Sequence, residues 1–132
     1  MKYDEFIDRV QSRAELASSD QAVLATRATL ITLAERLSGE EPAHLASELP
    51  SELGRFISDR PPFFIRSGES FSVDEFYDRV SIREGEETET AVRHACAVMG
   101  VLKDAVSPGE LEDIRAQLPE DYAPLFGDGV AR

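Results

Sequence analysis

Tyr3-Asp4-Glu5-Phe6-Ile7-Asp8-Arg9-Val10 returns seventy residues later as Val73-Asp74-Glu75-Phe76-Tyr77-Asp78-Arg79-Val80, with six of the eight positions identical. That agreement is too close for chance and marks one unit used twice. At an offset of sixty-nine the echo continues: Leu37-Ser38 matches Val106-Ser107, Leu45 matches Ile114, and Leu49-Pro50 matches Leu118-Pro119. A duplicated supersecondary unit carries an apolar face it cannot bury alone, and a second copy is the natural cover.

Within the first stretch, Tyr3, Phe6, Ile7 and Val10 fall at the i, i+3, i+4, i+7 spacing of an amphipathic helix, and Glu5 stands four residues before Arg9. The copy keeps the design, with Phe76, Tyr77 and Val80 on the apolar side and Glu75 four residues before Arg79. Ser72 is placed to cap that helix, with Glu75 at its third position closing a capping box. The repeated acids are therefore read as caps, macrodipole partners and exposed ion pairs rather than as metal ligands or catalysts.

A longer helix follows in each copy. Val23, Thr26, Leu30, Leu33 and Leu37 step by three and four, as do Val92, Ala95, Met99, Leu102 and Val106. Ser19 with Asp20, and Thr88 with Glu89, supply polar N-termini. Ser38-x-x-Glu41 and Ser107-x-x-Glu110 read as capping boxes for a short third helix, and Pro108 suits its first position. That helix carries Leu45 and Leu49, or Leu111, Ile114 and Leu118, and stops at Pro50 or Pro119. An apolar turn follows each proline: Leu53, Phe56 and Ile57, then Tyr122, Leu125 and Phe126.

The expected fold is all-α, an orthogonal helical bundle built from two pseudo-repeated three-helix modules. One domain spans 1–132, with repeat 1 at 1–58, a connecting segment at 59–71, repeat 2 at 72–126 and a flexible tail at 127–132. In the connection Pro61-Pro62 breaks the helix, and Phe63-Phe64-Ile65 before Ser67-Gly68 suits a short extended stretch or hairpin, the natural hinge between repeats.

The order of a DEF-x-x-RV helix, a long amphipathic helix and a capped short helix ending in Leu-Pro resembles the prokaryotic domain of unknown function 2267 family. Asp4, Glu5, Phe6, Arg9 and Val10 carry the resemblance in one copy, and Asp74, Glu75, Phe76, Arg79 and Val80 in the other. It covers about residues 3–126. What it implies is a compact all-helical fold, with no catalytic residue, cofactor or partner to transfer.

Charge narrows the function classes. Twenty-six acidic against 14 basic residues leave a formal net charge of −12. That field repels phosphate backbones and acidic membrane surfaces, so neither nucleic acid nor membrane is an expected partner. Twelve of the basic residues are arginine and only Lys2 and Lys103 are lysine, a balance that suits a saline cytoplasm, where molar salt shortens the Debye length to about 3 Å. A high-GC genome would give the same bias. No leader and no apolar run near the roughly 20 residues of a membrane span is visible, and Cys96 is alone, which together suggest a soluble cytoplasmic protein.

The search for chemistry yields few candidates. His44 aligns with Asp113 and His94 with Ala25, which excludes a metal site present once in each copy. His94 and Cys96 stand about 200° apart around a helix and cannot share an ion. Cys96 reads as a small core residue, and His94 as a satisfied histidine or an outside candidate for a haem or small-ligand contact. Glu84, Glu86, Glu87 and Glu89 read as a solvated face or weak cation site. The phosphate loop, the nucleophile elbow, the calcium loop and paired cysteines are missing from the sequence.

One basic and aromatic patch stands out, with Arg55, Arg60, Phe63, Phe64 and Arg66 as interaction candidates around Phe56. These features point first to a non-catalytic helical domain acting through a protein partner or as a homo-oligomer, with no cofactor. The alternative is a small-ligand or haem-binding helical bundle, and an enzyme ranks third.

Overall fold

A computed structural model describes residues 1–59 and 68–127 of the chain. Wherever apolar residues recur every three or four positions, the backbone is helical, and among the described residues the protein is all-α. The elements are α1 (Tyr3–Arg13), α2 (Ser19–Arg36), α3 (Glu41–Glu48), α4 (Ser51–Ser58), α5 (Val73–Glu84), α6 (Thr88–Ala105), α7 (Pro108–Ala116) and a C-terminal 3-10 helix (Glu120–Phe126). The turn expected after Pro50 is thus the full helix α4, and its counterpart winds more tightly around Pro124, which lacks the N–H an α-helix would use.

The long helices are the centre. On α2 burial extends well beyond the predicted stripe, to Ala22, Ala25, Ala28, Thr29, Thr32, Ala34 and Glu35. The reason is coverage from several sides, since α1, α4, α5 and α6 all pack against it. Small Ala and Thr side chains let those neighbours approach. In turn α6 is covered by α1, α2, α5 and the 3-10 helix. Each DEF-x-x-RV helix therefore touches both long helices, α2 and α6. The phenylalanines of the motif, Phe6 and Phe76, are fully buried in one core to which all eight helices contribute.

The motif arginines reach the long helices as well. Arg9 on α1 reaches Asp104 near the end of α6 at 2.6 Å. Arg79, seventy positions on, reaches Glu35 near the end of α2 at 3.2 Å, and Arg83 grips both oxygens of Glu35 at 2.6 and 2.8 Å. Arg79 also binds Glu69 and Glu75 and lies 3.9 Å from the centroid of the Phe71 ring. The expected Glu75–Arg79 pair forms, whereas Arg9 turns to Asp104. Because Glu75 is held by Arg79, only half of the capping box at Ser72 forms, the hydroxyl accepting from the Glu75 N–H at 3.3 Å.

Other caps depart from expectation. Ser18, not Ser19, caps α2, accepting from Gln21 N–H at 3.2 Å. Glu87 precedes α6 without a side-chain cap, and Thr88 is already helical. Helix α5 ends at Gly85 in the left-handed region, φ 74°, where a glycine carries no Cβ penalty. Close packing within the first copy depends on Gly54, whose missing Cβ would stand 2.8 Å from the Ala46 carbonyl oxygen. From residue 68 onward, the Gly68 and Glu69 N–H groups donate to the carbonyls of Leu37 and Glu35, tying the chain to the end of α2. None of the helices is long and apolar enough to cross a membrane among the described residues.

Candidate functional site

The predicted capping boxes at Ser38 and Ser107 are where the tertiary structure rewrites the local one. A capping box needs its glutamate to reach back to the N-cap N–H. Here that N–H is taken from across the molecule. Glu48 Oε1, at the end of α3, accepts from Ser107 N–H at 2.8 Å, and its Oε2 accepts from the hydroxyl at 3.1 Å. Reciprocally, Gln117 Oε1, after α7, accepts from Ser38 N–H at 2.8 Å and from its hydroxyl at 3.3 Å. Ser107 still caps α7 through its hydroxyl, accepting from Glu110 N–H at 3.2 Å, while Ser38 does not cap α3, which starts behind Glu40.

Both box glutamates are consequently released. Glu41 and Glu110 turn into the seam between α3 and α7, 8% and 5% exposed, and one oxygen of each carboxylate is buried with no hydrogen-bond partner. His44, one turn after Glu41 and itself exposed, joins them, so that a donor atom from each of the three lies within 4.8 Å of the others. The Glu110 carboxyl is pushed up to about 8, first by burial, then by the Glu41 carboxyl beside it, with Glu48 and Asp113 adding to the effect. Sequence reasoning missed this cluster for a definable reason. It asked whether each copy could hold its own site, and His44 opposite Asp113 said no. A single site assembled from Glu41 and Glu110, the same position in both copies, was not considered.

His94 is buried and its Nδ1 bonds to Glu84 Oε2. Glu84, expected on a solvated face with Glu86, Glu87 and Glu89, is instead 6% exposed, and its Oε1 has no partner. Burial pulls the Glu84 carboxyl above its ordinary range, and the His94 bond opposes that rise. The pair lines a cavity of about 300 Å³ with Glu86, Gln21, Leu24 and Arg93. Its glutamate comes from the last turn of α5 and its histidine from the second turn of α6, brought together by the tight turn at Gly85.

Cys96 stands apart from His94, its Sγ 3.8 Å from the Pro124 carbonyl oxygen, and burial raises its thiol. Of the interaction candidates, Arg55 is exposed near the end of α4. Arg60, Phe63, Phe64 and Arg66 lie outside the described residues, as does the stretch expected to be extended.

A family model for an uncharacterized conserved protein, DUF2267, matches residues 3–125, and the chain belongs to that family. No curated protein matches it.

Proposed function

We propose that this member of the DUF2267 family acts by binding rather than by catalysis, and that its ligand is a small polar molecule held in the cavity beside His94. The observation that carries this reading is Glu84, which lines a ligand-sized cavity and whose buried Oε1 has no hydrogen-bond partner. A ligand bearing a hydrogen-bond donor would satisfy it, and the His94 bond to the other oxygen holds the carboxylate in place. Haem fits less well, because Glu84, Glu86, Gln21, Thr90 and Arg93 make much of the wall polar, where haem asks for a roomy apolar chamber.

In the same proposal the domain comprises two pseudo-twofold, orthogonally packed modules, 1–58 and 72–126, joined by 59–71, in a cytoplasmic and salt-adapted protein. The paired cross-copy contacts of Ser38 with Gln117 and Ser107 with Glu48 support the two-module part of it.

Native mass spectrometry of protein purified without refolding tests the ligand reading. Additional mass that is lost in His94→Ala and in Glu84→Gln supports it; a bare chain that also shows no thermal shift across a panel of small amines and alcohols rejects it. A second reading, protein interaction or self-association through Arg55, Arg60, Phe63, Phe64 and Arg66, is favoured by the exposure of Arg55 and by Ile82, an isoleucine on α5 that is 80% exposed. Sedimentation of wild type against Arg60→Ala/Phe63→Ala/Phe64→Ala distinguishes it, since loss of a dimer at unchanged helicity is its signature.

A further inference from the structure

We propose that Glu41, His44 and Glu110 form a binding site for one divalent transition-metal ion of the zinc class, shared between α3 and α7. The site is separate from the His94 cavity and does not depend on it.

Three observations converge. Glu41 and His44 are three residues apart on α3 and so face the same side of that helix, while Glu110 enters from the first turn of α7. Their donor atoms lie within 4.8 Å of one another. Donors about 2.1 Å from a common tetrahedral zinc stand about 3.4 Å apart, so small side-chain rotations close the shell.

The second observation is independent of proximity. Glu41 and Glu110 are more than nine-tenths buried, and each keeps a carboxylate oxygen with no hydrogen-bond partner. Buried carboxylates are ordinarily paired with a cation or hydrogen-bonded, because desolvating the charge is costly. Glu48 and Asp113 act on Glu110 as further acidic neighbours. Once the proton that Glu110 holds beside Glu41 is displaced, a cation is the partner the two buried carboxylates lack.

The third is the loss of the ordinary explanation. A glutamate at the third position of a capped helix has a backbone to bind, yet Glu48 holds the N–H that Glu110 would have reached, and Gln117 holds the one for Glu41. Both glutamates have been freed from capping and turned inward.

Two carboxylates and an imidazole are a zinc-type donor set, and the imidazole discriminates against magnesium and calcium, which prefer oxygen alone. Three protein ligands leave one coordination position for water. Since the ligands come from both copies, the ion would clamp the third helix of one to the third helix of the other.

The test is titration of EDTA-stripped full-length protein with Zn²⁺ by calorimetry and with Co²⁺ by visible absorption. One Zn²⁺ per chain is expected, with Co²⁺ showing ligand-field bands and Mg²⁺ not competing. His44→Ala, at an exposed position that folding does not need, should weaken Zn²⁺ at least ~10-fold, and Glu110→Gln should weaken it further. His94→Ala should change nothing. Absence of binding up to about 0.1 mM Zn²⁺ would overturn the proposal, leaving the two glutamates as a proton-sharing pair. Binding that ignores His44→Ala but disappears in His94→Ala would overturn it equally. Helicity and urea midpoints of each variant show whether the fold survives.

Discussion

Glu35 and Asp104 stand sixty-nine residues apart, near the ends of α2 and α6, and each binds the arginine of a DEF-x-x-RV helix. Removing either deletes the same contact in sequence terms. The consequences should be unequal. Glu35 has a side chain only 3% exposed and is held at both oxygens by Arg83, with Arg79 a third contact. Asp104 is 55% exposed and meets a single Arg9 nitrogen. Taking away one partner of a buried ion pair costs about 3–5 kcal/mol, because the remaining charge stays desolvated. Arg79 retains Glu69 and Glu75, Arg83 retains the Thr32 hydroxyl, and both guanidiniums reach some solvent, so the lower end of that range applies to Glu35→Ala, about 3 kcal/mol. Asp104→Ala removes an exposed pair and should cost about 0–1 kcal/mol.

Urea unfolding at fixed ionic strength measures both. With a slope of about 1.5 kcal/mol/M, the Glu35→Ala midpoint should fall by about 2 M and that of Asp104→Ala by less than about 0.7 M, slopes unchanged. The double variant Glu35→Ala/Arg83→Ala should recover part of the loss, since no unpaired guanidinium then remains at that position. If the two single variants agree within about 1 kcal/mol, or the double variant loses the full sum, burial does not govern these pairs and the reasoning fails.

Gly54→Ala and Gly100→Ala should move stability in different directions. Both replace a helical glycine, worth up to about 1 kcal/mol in propensity, but at Gly54 the new methyl meets the Ala46 backbone oxygen at 2.8 Å, whereas at Gly100 it meets the Arg13 guanidinium, which can swing aside. A melting temperature that falls for the first and holds or rises for the second is the expected pair of results. Tyr122→Phe removes the hydroxyl that donates to the Phe71 carbonyl at 2.7 Å, and because Arg36 Nε still donates to that oxygen at 3.1 Å the cost should be only about 0.5–1.5 kcal/mol; an unchanged urea midpoint would contradict this.

In metal-free protein, Glu110 holds a proton up to about pH 8 when folded and releases it near 4.3 when unfolded, facing Glu41, His44 and Glu48 on α3 and Asp113 on its own helix. The folded state thus binds the extra proton in that window, so the contribution of Glu110 to stability is full below about pH 4 and is lost as pH rises through about 8. Glu110→Gln should flatten that decline, which melting curves from pH 4 to 9 in EDTA would reveal. Finally, if the −12 charge is a saline adaptation, the melting temperature should climb steeply from low to molar KCl; a flat curve favours base composition as its origin.

The helices themselves were legible because their signals are local. Phe6, Val10, Leu30, Leu33, Met99 and Leu102 sit at helical spacing, and all are buried where that spacing put them. Caps were less legible. Ser72 and Ser107 do cap as expected, but Ser38 does not, and Glu75 answers to Arg79 instead of completing its box. Whether a side chain serves its own helix depends on what else competes for it: for Glu75 the competitor is one turn away, and for Ser38 it is Gln117, far along the chain.

Chain order alone determined which segments are helical and which of their faces are apolar. Periodicity and capping chemistry act over a few residues, so a sequence displays them directly. Only the tertiary structure decided what distant segments do to each other. It placed Glu48 on Ser107 and Gln117 on Ser38, and so turned Glu41 and Glu110, ordinary cap residues in sequence, into a buried acidic pair beside His44. It also folded Glu84 back onto His94. These groups owe their character to desolvation and to neighbours beyond their own helix, ten residues away for Glu84 and sixty-nine for Glu41, and both are properties of position in space, which no local pattern encodes.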